Sequence, residues 1–515
     1  MHEFEWMVGL LIGAMLLSGL ARRFGIPYPT FLALGGIVIA FIPNSPAWTL
    51  EPDLALAVFV APVLLDAAFD TSMRDLRDNW LPVATLVVVA VAATTAAVAV
   101  VTRWLVPDMP IAAAIALGAI VAPPDAAAAT TVLRSVKLPY RILKILEGES
   151  LLNDASALLI YRVAVGVAMA TSLSVSHVAP TLAAAVFGSL IAGYVLGRVA
   201  LAVNRSIQDI PTVIIVQFVG TFVVWILAEQ IGLSGILTIV VYAVTLARSA
   251  PADTPARIRV PSYAVWETVV FLLNVLAFIL IGMQLRPIWE GFDESLRWQY
   301  SAVAGAVLIT VIVTRIVWVM SFNTVLRAAI RHFGYKPRRS TIARPTFKGG
   351  LLVSWCGMRG IVTLAAAFAL PEAFPYRNLI LLCAFAVVLG TLVINGVTLR
   401  PLIGWLALDE DDPVTHEVGW ARRAAFHAAL EAIDGDTSAE AEMLRLEYRQ
   451  MLDKAESDPD GLTSSELPAD PLRRQAISAA RRVLIEMRSS GEIGDDAFHR
   501  LEEEFDWAEL SAAAS

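Results

Sequence analysis

A chain of 515 residues that is 57% hydrophobic and only 17% charged cannot bury all its apolar side chains in one water-soluble core. Lipid is the natural solvent for the surplus. The net charge of -8 collects largely after about residue 407, and no part of the chain has the basic patch that nucleic-acid binding requires. These facts divide the chain into a membrane domain, 1–407, and an acidic, helical tail, 408–515.

A spanning helix needs about 20 mostly apolar residues. In chain order, such stretches fall near 4–21, 29–43, 53–70, 81–102, 111–133, 147–171, 178–200, 211–229, 233–248, 266–285, 299–325, 347–370 and 378–405. The chain opens with Glu3 and Glu5 at the start of the first stretch, which is followed by Arg22 and Arg23. That order predicts a spanning helix entered from outside rather than a cleaved signal. Lys and Arg then alternate between loops. Odd-numbered loops are rich in them (Arg74 and Arg77; Arg134, Lys137, Arg141 and Lys144; Arg248, Arg257 and Arg259), whereas even-numbered loops hold few, such as Arg103 and Arg286. Positive charge marks the cytoplasmic side. The expectation is an all-α polytopic membrane protein of about thirteen transmembrane helices, multi-pass in the inner cell membrane, with its N-terminus outside and its C-terminus in the cytoplasm. After the acidic run Asp409–Asp412, helices are expected near 413–433, 438–456, 470–490 and 494–509.

Two spans are broken at their centres. The fifth carries Gly118, Pro123, Pro124 and Asp125, and two consecutive prolines remove two backbone donors. The twelfth carries Cys356-Gly357-Met358-Arg359-Gly360. These positions correspond if spans 1–6 and 8–13 are two inverted six-helix repeats, and paired interrupted spans point to a transporter's substrate site. Asp125 and Arg359 then compensate the partial charges of the exposed helix ends. The alternative is a pair of kinks with no function.

The sixth span opens Glu147-Gly148-Glu149-Ser150-Leu151-Leu152-Asn153-Asp154. Ser150 and Asp154 share a helix face and offer hard oxygen donors that suit a small monovalent cation such as Na⁺. Asp154 lies about 7.5 Å along the axis from Glu149. One carboxyl that holds either a proton or a cation, not both, is enough for coupled exchange. Asp66 in the third span is a further candidate, although Asp70 and Asp75 close by also fit a water-exposed helix end. Buried Glu149 needs a cation, with Arg315 the first candidate and Arg359 the second. Glu267 and Asn274 read as a structural polar pair. Cys356 and Cys383 read as small buried residues. His416, His427 and His499 are too scattered for a ligand cluster.

The sixth-span run resembles the signature of the monovalent cation:proton antiporter-1 family, the sodium/proton exchangers, almost letter for letter. Gly357-Met358-Arg359-Gly360 with Ile361 to Pro371, Trp266 to Leu285, and Pro62 to Asp70 are similar to the family as well. The resemblance implies thirteen helices, a homodimer, a mobile six-helix core and elevator-type alternating access, with no cofactor beyond the transported Na⁺ and H⁺. It implies that Asp154 binds ion and proton, with Asn153, Ser150, Asp66 and the carbonyl of Pro124 around it. Asn153 before Asp154 looks like the electroneutral branch. Two departures bear on ion choice: the family's Thr-Asp-Pro is Pro124-Asp125-Ala126 here, and its third-span glutamate is Asp66. Potassium/proton exchange on the same scaffold stays open, and an ion sensor is a weaker alternative. No HExxH or GxSxG motif argues for an enzyme.

Overall fold

The computed structural model describes residues 2–511 apart from 25, 44–51, 126–138, 170–174, 293, 334–345, 409–412, 458–469, 491 and 493–494, and every element among them is helical. The end of the fifth span after Asp125 and the basic residues Arg134, Lys137, Lys336, Arg338, Arg339 and Arg344 lie outside the described residues, as does the Asp409–Asp412 run. The chain forms two compact units, Met1–Glu410 and Asp411–Ser515.

The first unit runs α1 (His2–Phe24), α2 (Tyr28–Ala40), α3 (Pro52–Ala55), a π-helical turn (Leu56–Val60), α4 (Ala61–Asp70), α5 (Met73–Asp78), α6 (Trp80–Ala84), a second π-helical turn (Thr85–Ala90), α7 (Val91–Leu105), α8 (Ile111–Val121), α9 (Tyr140–Met169), α10 (Val175–Arg205), α11 (Ile210–Gln230), α12 (Gly235–Asp253), α13 (Ala256–Met283), α14 (Leu285–Glu290), α15 (Glu294–Phe333), α16 (Phe347–Trp355), α17 (Ile361–Phe368) and α18 (Arg377–Leu406). Seven of the described helical stretches are long and apolar enough to cross a membrane, and three shorter ones are apolar but brief. Their outward faces are apolar. Val38 is 67% exposed and Trp104 79%, a surface that water would penalise and hydrocarbon accepts.

Side chains close several helix ends. Ser72 accepts from the amide of Asp75 at the start of α5, and Thr346 accepts from the amide of Gly349 at the start of α16. At α11 the Asp209 carboxylate accepts from the hydroxyl and amide of Thr212, and these bonds hold it below the usual carboxylate range.

Several helices depart from their expected bounds. The stretch at 347–370 carries its expected break, which divides it into the short helices α16 and α17. Helices α9 and α13 begin at Tyr140 and Ala256, ahead of the expected 147 and 266. Helix α15, expected over 299–325, covers 40 residues, about 60 Å at 1.5 Å per residue. A hydropathy window registers only the apolar middle of a helix, whereas backbone hydrogen bonding continues through its polar ends.

Helix α2 crosses α13 at Gly36 and Gly282. A Cβ on either glycine would overlap the backbone of the opposite helix, so only glycine permits this approach. The buried core between the helices includes Leu32, Leu117, Ile279, Leu352, Met358 and Leu364, which surround the two helix breaks.

The second unit contains α19 (Pro413–Ile433), α20 (Ala439–Ser457), α21 (Asp470–Ser490) and α22 (Asp495–Ser511). Arg445 donates to the carbonyls of Ile433 and Asp436 at the end of α19. Arg473 meets Glu447 at 3.0 Å, and Arg481 meets Asp506 and Glu509 at 2.7 and 2.6 Å. His427 lies 3.7 Å from Glu456.

Candidate functional site

The two breaks meet. Helix α8 stops at Val121, the chain passes through Ala122 to Asp125 without helical bonding, and the amide of Asp125 donates to the carbonyl of Met358 at 2.7 Å. Arg359 is 1% exposed. Its guanidinium donates to the carbonyls of Val121 and Ala122, both at 3.2 Å, and to that of Gly357. A buried positive charge thus sits on the negative end of α8. Asp125 lies at the opposite kind of end. A Cβ on Gly360, at the start of α17, would overlap the Asp125 carboxylate, so this anion stands against a helix N-terminus. Thr391 of α18 accepts from the freed amide of Arg359 at 3.0 Å.

Arg359→Lys is expected to cost about 2 kcal/mol, because an ammonium cannot span the carbonyls that the planar guanidinium reaches. Thermal unfolding in detergent checks this, and an unchanged midpoint would overturn it.

The second buried arginine does similar work. Arg315 forks onto Glu149, with Nη1 to Oε1 at 2.6 Å and Nη2 to Oε2 at 2.9 Å. It also donates to the carbonyls of Ser354 and Val353 at the end of α16, both at 3.1 Å. A Cβ on Gly357 would overlap the Arg315 side chain. Two half-helices, α8 and α16, therefore both end on a buried guanidinium. Neither helix-end role for Arg315 nor the Thr391 contact is visible in the sequence, since both depend on helices far apart in the chain.

Beside this junction lies a cavity of about 1300 Å³. Asp66, Asp125, Ser150 and Asp154 line it, with Glu147, Glu267 and Asn274 further along its wall. Asn153 points the other way: it is fully buried, and its Nδ2 donates to the carbonyl of Pro124 at 2.6 Å. Pro124 is thus held by Asn153 and does not line the cavity. The far wall is aromatic. Trp266 stacks on Phe218 at 4.0 Å between centroids and donates from Nε1 to Gln217 at 2.9 Å. Among the described residues, no three His, Cys, Asp or Glu side chains gather into a metal cluster. The cavity offers hard oxygens and no soft ligand, which suits a monovalent cation or a proton.

These features define an integral, multi-pass membrane protein whose carboxylates face a cavity at paired helix breaks. The pattern called sodium/hydrogen exchanger, transmembrane, matches residues 9–405. The chain belongs to that family. It is 30% identical to a sodium, potassium, lithium and rubidium/H⁺ antiporter of Bacillus subtilis, over 98% of this chain and 77% of that protein. It is 27% identical to the low-affinity Na⁺/H⁺ antiporter NhaS1 of Synechocystis, over 83% of this chain and 79% of that one. Its fold is similar to that of the sodium proton antiporter MjNhaP1 of Methanocaldococcus jannaschii, with a TM-score of 0.59 and 17% identity, covering 78% of this chain and 98% of that chain.

Proposed function

We propose that the protein is a secondary antiporter that exchanges Na⁺ for H⁺, one for one, at Asp154. The observation that carries this reading is the placement of Asp154 on the cavity wall beside Ser150 and Asp66, next to two helix ends neutralised by buried charges. A carboxylate with hard oxygen neighbours binds a dehydrated cation, and the same carboxyl binds a proton once the cation leaves. The two are mutually exclusive, so exchange is coupled. Asn153 adds no charge of its own, which keeps the site electroneutral. Glu149 and Arg315 tie α9 to α15 and to the end of α16, while Asp125 and Arg359 hold the breaks.

Alternating access proceeds by an elevator-type movement of a six-helix core, within about thirteen spans arranged as two inverted repeats. The protein works as a homodimer in the inner membrane, with N-terminus outside and C-terminus in the cytoplasm, and takes no cofactor. Potassium/proton exchange is the second reading. The range of cations in the name of the Bacillus relative favours it, as does Asp66, whose side chain is one methylene shorter than glutamate.

The test uses protein in liposomes that enclose a pH dye, under an imposed pH gradient, with Na⁺, Li⁺ or K⁺ added in turn. Na⁺ is expected to collapse the gradient, and protein lacking residues 410–515 to keep part of that flux. Response to K⁺ alone changes the substrate. A tail-deleted protein that folds yet loses all flux favours a sensor in which membrane part and tail act together.

A further inference from the structure

We infer that Ser156 is a positioning residue for the exchange site, acting through the π-helical turn Thr85–Ala90. The inference rests on the reading of Asp154 as the exchange site.

Within the stretch from α6 to α7, the π turn adds a residue to the helical winding and disturbs the regular hydrogen-bond ladder. A carbonyl displaced in this way must find another donor. Ser156 supplies one. Its hydroxyl lies 2.6 Å from the carbonyl of Val87, inside the turn, and 2.8 Å from the carbonyl of Asn153 on its own helix. Val87 is buried. One hydroxyl proton is thus shared between the π turn and the peptide carbonyl of Asn153, next to Asp154.

The contact is part of a junction. Helix α9 packs on the π turn. Next to Ser156, Ala157 joins Val91 and Ala122 in a small buried cluster. Ala122 is the residue whose carbonyl takes Arg359 at the first break. Asn153 in turn holds the carbonyl of Pro124 in the same break. The π turn, the break after α8 and the segment that carries Asn153 and Asp154 are therefore fastened at three points within one turn of α9. The register of Asp154 relative to the break follows from these contacts. Ser156 does not line the cavity and so touches no ion.

Loss of the hydroxyl takes a donor from the Val87 carbonyl and frees α9 to shift. The expected result for Ser156→Ala is a KM for Na⁺ raised about tenfold, with turnover at saturating Na⁺ reduced less than about twofold. Ser156→Thr, which keeps the hydroxyl, is expected to restore the KM. Ser156→Cys, of similar volume but a weak donor, is expected to fall between. A purely structural role lowers the amount of folded protein without this ordering of KM. The measurement is Na⁺-driven proton flux in liposomes, normalised to monodisperse protein, with Asp154→Asn alongside. Wild-type KM in Ser156→Ala overturns the inference, as does a Ser156→Thr protein as impaired as Ser156→Ala. If Ser156→Ala does not fold, a wild-type KM in Ser156→Cys overturns it. An inactive Asp154→Asn with a normal Ser156→Ala sinks the positioning role alone, whereas an active Asp154→Asn sinks the exchange-site reading and this inference together.

Discussion

Asp154→Asn is expected to leave a folded protein that no longer couples cation movement to proton movement. The substitution keeps the volume and shape of the side chain. If Asp154 is the exchange site, the change removes the negative charge that offsets the dehydration of a cation and the carboxyl that carries the proton. Ser150 and the newly introduced carboxamide still offer dipoles, but neutral oxygens hold an ion in a low-dielectric site far less firmly than a carboxylate does. Loss of about 3 kcal/mol of ion stabilisation corresponds to about a 100-fold loss of rate, which takes the flux to background in a dye assay. Among the described residues, Asp154 has no hydrogen-bond or ion-pair partner, so its charge holds no helix in place and the variant is expected to purify as the parent does. Coupled flux within about threefold of the parent would remove Asp154 from the mechanism.

The second large effect concerns Glu149 and Arg315. Their side chains are 2% and 4% exposed, so removing one partner strands the other charge in the core. Such a loss costs about 3–5 kcal/mol, a large part of the roughly 5–15 kcal/mol by which a typical domain is stable. Glu149→Gln is therefore expected to lower the yield of monodisperse protein severely. Arg315→Met is expected to lower it further, because the carbonyls of Ser354 and Val353 at the end of α16 lose their donors too. The double variant carries no stranded charge. It is expected to recover above Arg315→Met and still to fall short of the parent, since the end of α16 stays unmet. Size-exclusion profiles of tagged protein in detergent give this order. A Glu149→Gln protein as abundant and as heat-resistant as the parent would show that the pair contributes nothing to the fold.

The outcome for Asn153 and Pro124 shows how far a local reading reaches. The carbonyl of Pro124 is expected beside the ion, yet it accepts from Asn153 across 29 residues of sequence and lies off the cavity wall. In a helix, side chains one residue apart project about 100° from one another, so Asn153 and Asp154 need not face the same space. That much is contained in the spacing. Which of them meets the break and which meets the cavity depends on how α9 is rotated, and packing sets the rotation.

Hydropathy and charge placement are local properties, and they determined what is local about this protein. In lipid every backbone polar group needs an internal partner, so long apolar runs can only be helices. Prolines and glycines mark the two breaks for the same reason, and the tail helices fall within a few residues of their expected bounds because their caps and polar faces lie in the adjacent sequence. A charged residue within an apolar run also declares itself, since it needs a partner there. The partner's identity is not local. Glu149 and Arg315 are separated by 166 residues, and Arg359 and Val121 by 238. The charge rule leaves both arginines open for Glu149, and only the packing of α9 and α15 against α16 assigns Arg315 to it and Arg359 to the end of α8. The π turn at Thr85–Ala90 has no proline or glycine to announce it. It exists because the surrounding helices, and the hydroxyl of Ser156, satisfy a backbone that the sequence of Thr85 to Ala90 alone would wind as an ordinary α-helix.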